Sequence, residues 1–86
     1  MVSRNVTIVN SIGLHARPAT FFIQKANSYR SSIWVENSDR TANAKSLLGV
    51  LSLAVSKGDV VTLIADGADE EQAIAGLTEL IESFAD

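Results

Sequence analysis

The chain has 86 residues, 47% of them hydrophobic, and a formal net charge of −3, which suits one domain with a small core and makes general nucleic-acid binding a poor fit. It has no cysteine and a single histidine, which excludes disulfides, cysteine-based zinc or iron–sulfur sites and multi-histidine metal sites. Its apolar runs fall far short of the about 20 residues of a membrane span and its N-terminus has no apolar signal segment, so we expect a cytoplasmic protein without direct membrane insertion.

The hydrophobic pattern predicts four strands and three helices. In chain order they are a strand over residues 4–9, a helix with Pro18 in its first turn that ends near residue 29, a strand over 32–37, a short strand over 40–44, a short helix that begins at Ser46 and ends near residue 54, a strand over 59–65 and a helix over about 69–84. The strand over 59–65 is the most β-prone, and we expect it to be central.

The order β-α-β-β-α-β-α predicts an α+β fold in which helices cover one face of a four-stranded, mainly antiparallel sheet. Helical spacing predicts that the last helix buries one apolar stripe, formed by Ile74, Leu77, Leu80, Ile81 and Phe84. The open face of the sheet should be the more polar one, although Trp34 is expected on it.

His15 lies immediately before the first helix, in the run Gly13-Leu14-His15-Ala16-Arg17-Pro18. The first backbone N–H groups of a helix lack partners within the helix and attract phosphate. Ala16 and Arg17 can offer such groups, and the Arg17 guanidinium is suited to binding phosphate oxygens. This arrangement would stabilise a phosphoryl group on the imidazole. On these residues alone, His15 could equally cap the helix or pack at the junction.

Ser46 is a good N-cap for the second helix, which by itself would explain the residue. It is also a candidate phosphorylation switch, because a helix N-terminus tolerates the added negative charge. The helix is apolar nearly all round, with Leu47, Leu48 and Leu51 on one side and Val50, Leu53 and Ala54 on the other. Unless another element covers one of these sides, an exposed aliphatic docking surface results.

These residues resemble the HPr family, the small histidine-containing phosphocarrier proteins of the bacterial phosphoenolpyruvate:sugar phosphotransferase system. The resemblance lies in two motifs, residues 13–19 around His15 and residues 43–49 around Ser46, each at the start of a predicted helix and 31 residues apart between His15 and Ser46. Residues 1–86 as a whole resemble a single domain of this family. The family's fold is an open-faced β-sandwich with three helices on one side of a four-stranded antiparallel sheet.

The resemblance implies that His15 accepts a phosphoryl group from phosphorylated enzyme I and passes it to sugar-specific enzyme IIA domains. Arg17 would hold the phosphate oxygens during both transfers. Ser46 would be the regulatory serine that HPr kinase/phosphorylase modifies, and its phosphorylation would weaken the enzyme I interaction and promote binding to a catabolite-control repressor. The family's partner-binding patch falls on Thr20, Gln24, Leu47, Leu48 and Leu51. No cofactor or metal is implied.

One position departs from the family pattern. Many relatives have a small polar residue where this chain has Ile12, and that residue can cap the first helix or touch the phosphate. Here only Ser11 could compensate.

Three alternative functions stay open at this point. A regulatory relative that acts on a transcriptional repressor mainly through Ser46 would lack the active histidine, which is present here. A nitrogen-branch phosphocarrier would not be expected to carry the serine motif. A small α+β enzyme such as an acyl phosphatase would hydrolyse phosphate compounds catalytically, whereas a carrier takes up phosphate stoichiometrically.

The charge of the chain is divided unevenly. Residues 1–58 carry seven basic and two acidic side chains, a net charge of +5, and residues 59–86 carry eight acidic and no basic side chains, a net charge of −8. The basic part is suited to docking on acidic proteins. The acidic part could equally be a solvated helix face.

Overall fold

A computed structural model describes residues 1–84, which form four strands and three helices in the predicted order. In chain order the elements are β1 (Val2–Thr7), α1 (Ala16–Asn27), β2 (Ser32–Asn37), β3 (Arg40–Asn43), α2 (Leu47–Ser52), β4 (Val60–Asp66) and α3 (Glu70–Ser83). Within this part of the chain, no helix has the length and apolar character needed to cross a membrane.

The strands form one antiparallel sheet in the order β1-β4-β2-β3. Val6 of β1 lies opposite Val61 of β4, and Val35 of β2 lies opposite Leu63 of β4. All four side chains are buried, because alternate positions of a strand point to the same face of the sheet. Because β4 lies between β1 and β2 in this order, the prediction that the strand over 59–65 is central is confirmed.

The helices pack on the buried face of this sheet and enclose a single core. α1 contacts α2 and α3, and α3 also contacts β1 and β4. Apolar residues at helical spacing supply the helix side of the core, namely Ala19, Phe22 and Ala26 from α1, Val50 from α2, and Ala73, Ile74, Leu77 and Ile81 from α3. The predicted α+β architecture is thus confirmed.

The opposite face of the sheet is open and mostly polar, as predicted. Trp34 lies on it, opposite Ile64 of β4 and Asn43 of β3, and both Trp34 and Ile64 are half-buried. The two apolar side chains shield each other across the strands, which limits the cost of placing them on the solvent side.

The largest boundary difference concerns β1, which lies two residues earlier than the predicted 4–9. The strand covers the length that pairs with β4, beginning at Val2 opposite Ala65, and Val9 is 57% exposed beyond its end. Strand length follows the pairing partner, whereas the alternation of Val6 and Ile8 marks only the buried positions. In α3, the outer members of the predicted stripe, Leu80 and Phe84, are half-buried.

Candidate functional site

His15 occupies the N-cap position of α1 in an extended backbone conformation, with φ −121° and ψ 158°. Its side chain makes no capping hydrogen bond and is half-buried. The alternative in which the imidazole caps the helix is therefore not what the structure shows. The ring sits at the helix start with one part of its surface open to solvent.

The loop before His15 is held by one hydrogen bond within the loop and by another to the segment after α2. Buried Asn10 donates from Nδ2 to the Gly13 carbonyl at 3.1 Å, and the Leu14 amide donates to the Val55 carbonyl at 3.1 Å. Gly13 has φ +69°, and a Cβ added there would lie 2.2 Å from the Val55 oxygen. Only glycine fits this approach, so the loop fixes the place at which His15 enters the helix.

The backbone immediately after His15 is strained. Ala16 has φ +53°, a left-handed conformation that costs a non-glycine residue on the order of 1–3 kcal/mol. The Thr20 hydroxyl donates to the Ala16 carbonyl at 3.3 Å. Within residues 1–84, the amides of Ala16 and Arg17 donate to no backbone carbonyl. The helix start therefore presents amides that are available to an anion.

Arg17 is exposed, and its guanidinium carbon lies 5.9 Å from the centroid of the Phe21 ring one turn later. In the described part of the chain, no carboxylate lies within 4.0 Å of its nitrogens; the ion pairs found there both involve the N-terminal amine. The guanidinium therefore keeps its hydrogen-bond donors for a ligand, two residues after His15.

Ser46 is the N-cap of α2, as predicted. Its Oγ accepts a hydrogen bond from the Gly49 amide at 3.2 Å, and its side chain is half-buried. The neighbouring Lys45 is tied to α1 and the loop after it, because its Nζ donates to the Tyr29 carbonyl at 2.9 Å and its carbonyl accepts from Asn27 at 3.2 Å. These contacts connect the start of α2 to the end of α1.

The two sides of α2 differ in burial. Val50 is fully buried, whereas Leu47 is 38% and Leu48 80% exposed. Leu51, the third member of the side favoured for docking, is half-buried and packs against the core. Exposed positions on α1, Thr20 and Gln24, complete the candidate patch, which we call the leucine patch and define as Thr20, Gln24, Leu47, Leu48 and Leu51.

Two further exposed apolar residues lie near His15 in the sequence, and neither was singled out from the sequence as a docking residue. Ile12 is 53% and Phe21 45% exposed. Helical spacing could have placed Phe21 beside Arg17, since residues four apart meet on one face. Ile12 has no polar side-chain atom with which to cap α1, and His15 at the N-cap position makes no side-chain capping hydrogen bond.

His15 lies outside the cleft of the described structure that has the widest accessible space among those found. A cleft of about 580 Å³ lies between β1 and α3, where Arg4, Val6, Thr78 and Glu82 are among its lining residues, and His15 is not one of them. Among residues 1–84, no three histidine, aspartate or glutamate side chains cluster as metal ligands would.

Comparison with known proteins identifies the group to which the chain is similar. Residues 2–83 match the family model described as "PTS HPr component phosphorylation site". The chain is 42% identical to the phosphocarrier protein HPr of Neisseria meningitidis over 84 residues, which cover 98% of this chain and 94% of that protein. It is 44% identical to the HPr-like protein Crh of Bacillus subtilis over 82 residues, which cover 95% and 96%.

Its fold matches solved structures equally well. The crystal structure of HPr-C-His from Thermoanaerobacter tengcongensis superposes with a TM-score of 0.94 at 52% sequence identity, covering 96% of this chain and 93% of that one. Family model, sequence relatives and fold agree over nearly the whole chain, and the matched span includes both His15 and Ser46. The chain therefore belongs to the HPr family of phosphocarrier proteins of the phosphotransferase system.

Proposed function

We propose that residues 1–86 form one carrier domain that accepts a phosphoryl group on His15 from phosphorylated enzyme I and passes it to sugar-specific enzyme IIA domains. The observation that carries this proposal is the place of the His15 imidazole, which makes no capping hydrogen bond, at the start of α1. Next to it lie two amides without a backbone carbonyl partner and the Arg17 guanidinium without a carboxylate partner, as far as residues 1–84 are concerned. Those groups match the charge of a phosphoryl group and need no metal or cofactor.

The proposed transfer needs positioning and charge stabilisation rather than an elaborate catalytic apparatus. As the bond between phosphorus and the donor atom breaks, a bond forms between phosphorus and an unprotonated imidazole nitrogen of His15. The amides of Ala16 and Arg17 and the Arg17 guanidinium would donate hydrogen bonds to the phosphoryl oxygens and stabilise their negative charge. The same steps in reverse transfer the phosphoryl group from His15 to the enzyme IIA domain. The phosphoryl group used in sugar uptake would therefore pass through a reversible adduct on His15.

A carrier that exchanges partners must bind each of them weakly. We assign that role to the leucine patch, whose exposed members Leu47 and Leu48 lie on α2, which packs against α1. An interface centred on two leucines and the surface around His15 would fall at the low end of the size range, below about 1,200 Å². Such an interface suits brief encounters with enzyme I and enzyme IIA.

The carrier role predicts one phosphate per chain after incubation with phosphoenolpyruvate and enzyme I. Intact mass measurement should show a single acid-labile phosphoryl adduct, and His15→Ala should show none. Arg17→Ala should keep the fold but slow acceptance roughly 10- to 100-fold, the worth of a charge-assisted hydrogen bond of about 1.5–3 kcal/mol. Continuous release of inorganic phosphate without a stable adduct would instead indicate a small hydrolase and contradict the proposal.

We further propose that Ser46 is a regulatory phosphorylation site in carbon catabolite control, with HPr kinase/phosphorylase and a catabolite-control repressor as partners. Its Oγ already caps α2, and a phosphate at a helix N-terminus is well tolerated. The added charge of about −1.5 to −2 would sit beside the exposed Leu47 and Leu48. It would therefore change docking more than folding.

Ser46→Asp should impair acceptance from enzyme I without unfolding α2, because aspartate is as good an N-cap as serine. Ser46→Asn is the matched control, since it keeps a capping side chain and adds no charge. We expect the steady-state KM for the Asp variant in the enzyme I reaction to rise at least several-fold and that for the Asn variant to stay near the wild-type value. Equal KM values for both variants would contradict a charge switch at this position.

Similarity to the HPr-like proteins Crh, at 43–44% identity, supports a second candidate, a regulator that acts mainly through Ser46. A nitrogen-branch phosphocarrier is a nearer variant of the first proposal. The presence of His15 favours a carrier over a pure regulator, and the mass experiment separates them. A chain that takes up no phosphate from enzyme I but is modified on Ser46 would be a regulator.

A further inference from the structure

The Arg17 guanidinium and the Phe21 ring form a cation–aromatic pair on the surface of α1. The two residues are four apart, on one face of the helix, and the guanidinium carbon lies 5.9 Å from the ring centroid. Phe22, the next residue, is fully buried and supplies the aromatic contact that the core uses, whereas Phe21 is 45% exposed. Core packing therefore does not explain the Phe21 side chain.

A ring face is a suitable partner for an arginine that must bind phosphate. A guanidinium stacked on an aromatic ring uses its flat face, and its five N–H donors lie in the plane of the group and remain free. A carboxylate partner would occupy those donors and compete with the phosphate oxygens. Within residues 1–84, no carboxylate lies within 4.0 Å of the Arg17 nitrogens.

The contact also restricts where the guanidinium can go. Arg17 is exposed and its flexible side chain would otherwise sample many rotamers. Side chains on a helix lean toward its N-terminus, so the Phe21 ring covers the turn that carries Arg17. The ring thereby keeps the guanidinium on the first two turns of α1, the end of the helix at which His15 stands.

We propose that Phe21 is a positioning residue for the phosphoryl group on His15, holding the Arg17 guanidinium near the helix start with its donors unoccupied. The inference rests on the proposed function, because it concerns the same adduct. It differs from assigning Phe21 to the leucine patch, since a docking residue would act only when a partner protein is present.

The test uses a phosphoryl adduct made without any partner protein. Phosphoramidate transfers its phosphoryl group from its own nitrogen to an imidazole nitrogen and releases ammonia, and the chain has only one histidine to receive it. The phosphorus NMR signal of that adduct is then followed with pH at low ionic strength. A nearby guanidinium favours the phosphoryl dianion and so lowers the pKa at which the signal titrates.

We expect Arg17→Ala to raise this phosphoryl pKa, and Phe21→Leu, which keeps apolar bulk but removes the ring face, to raise it in the same direction by a smaller amount. Phe21→Tyr should titrate like the wild type. The double variant Arg17→Ala/Phe21→Leu should titrate like Arg17→Ala alone, because Phe21 acts through Arg17.

A second cation–aromatic pair, between α1 and the loop that follows it, provides a matched control. The Lys25 ammonium lies 5.8 Å from the centroid of the Tyr29 ring, at the same spacing of four residues but at the other end of the helix. Tyr29→Leu should leave the phosphoryl titration unchanged. If Phe21→Leu also leaves it unchanged while Arg17→Ala shifts it, or if the two shifts add in the double variant, the positioning role is wrong.

The test of the Phe21 proposal can be separated from the test of the carrier proposal. Failure of enzyme I to phosphorylate His15 would overturn the carrier role, and the phosphoramidate adduct would still report on Phe21. A Phe21→Leu variant with an unchanged phosphorus titration but slower acceptance from enzyme I would assign Phe21 to docking and overturn the inference, with the carrier role intact.

Discussion

Asp69 uses its carboxylate across the fold rather than for its own helix. It holds the N-cap position of α3 but makes no side-chain capping bond. Its Oδ2 accepts from the Arg30 amide at 2.8 Å, and its Oδ1 accepts from the Ser31 amide at 2.9 Å and the Ser31 hydroxyl at 2.5 Å. The neighbouring Glu70 accepts from the Gly67 amide instead. One carboxylate thus fixes the loop between α1 and β2 to the start of α3.

These bonds make the fold sensitive to acid. The Ser31 hydroxyl and then the Arg30 amide lower the pKa of Asp69 from 3.8 to about 2. A carboxyl whose pKa is lower in the folded state stabilises the fold above its ordinary pKa, and this contribution is lost as pH falls from about 4 toward 2. Asp69→Asn should therefore have a lower free energy of unfolding than the wild type at pH 7. The difference between the two free energies should become smaller as the pH falls toward 2.

Urea unfolding at a series of pH values between 7 and 2 would measure that gap. Ser31→Ala, which removes the largest single cause of the lowered pKa, should reduce the pH dependence without abolishing it. A gap between wild type and Asp69→Asn that stays constant over the whole pH range would show that Asp69 does not titrate as described.

At the scale of elements, the loop between β1 and α1 sets the position of His15. Gly13→Ala should destabilise the protein by more than the ~1–2 kcal/mol that a left-handed backbone costs an L-residue, because the new Cβ would also lie 2.2 Å from the Val55 oxygen. The rate of phosphoryl acceptance should fall as well, because the loop must move to relieve the clash and would displace His15.

Gly58→Ala is the matched control. Gly58 also has a positive φ, +93°, but a Cβ there would meet nothing within 4 Å, so the variant carries the backbone cost without the clash. Thermal unfolding and the rate of acceptance from enzyme I would be measured on both variants. Similar losses of stability and rate in the two variants would rule out a special role for the approach of Gly13 to Val55.

The elements that the sequence predicts well are those whose signals are local. Pro18 in a first turn and Ser46 at an N-cap locate two helix starts, and with them the places of His15 and Ser46. The left-handed backbone of Ala16 has no signal in the residues around it. The contact between Asp69 and Ser31 has none either, because it joins segments that meet only in the folded chain. The predicted ends of β1 are wrong because the pairing with β4, which the local sequence does not show, sets the length of this strand.

At the scale of the whole molecule, acidic and basic side chains differ in how many of them have partners within the fold. Several of the acidic residues of the C-terminal part are bound within the fold, since Asp69 holds the loop at Arg30 and the N-terminal amine lies 3.2 Å from Glu70 and 3.6 Å from Asp66. Within residues 1–84, no lysine or arginine side chain lies within 4.0 Å of a carboxylate oxygen. No nearby carboxylate therefore neutralises the charges of these basic side chains within residues 1–84, and their field can attract an acidic partner.

The proposed carrier function accordingly predicts that transfer between this protein and enzyme I slows as salt is added. Between about 0.01 M and 1 M ionic strength, the Debye length falls from about 30 Å to about 3 Å, and we expect the second-order rate of phosphoryl acceptance to drop about tenfold or more. Rapid-quench measurements would give this rate, with circular dichroism to verify that the fold persists. A rate that does not change with salt would contradict electrostatic steering.

The central position of β4 also has a consequence for how the protein is made. Among the strands of residues 1–84, β1 pairs with β4 alone, and β4 lies between β1 and β2. While the ribosome is still adding residues before 60, the first strand has nothing to pair with, and only the β2–β3 hairpin and the early helices can form. Sheet assembly during translation must wait until β4 has been synthesised, so the nascent chain exposes its future core until then.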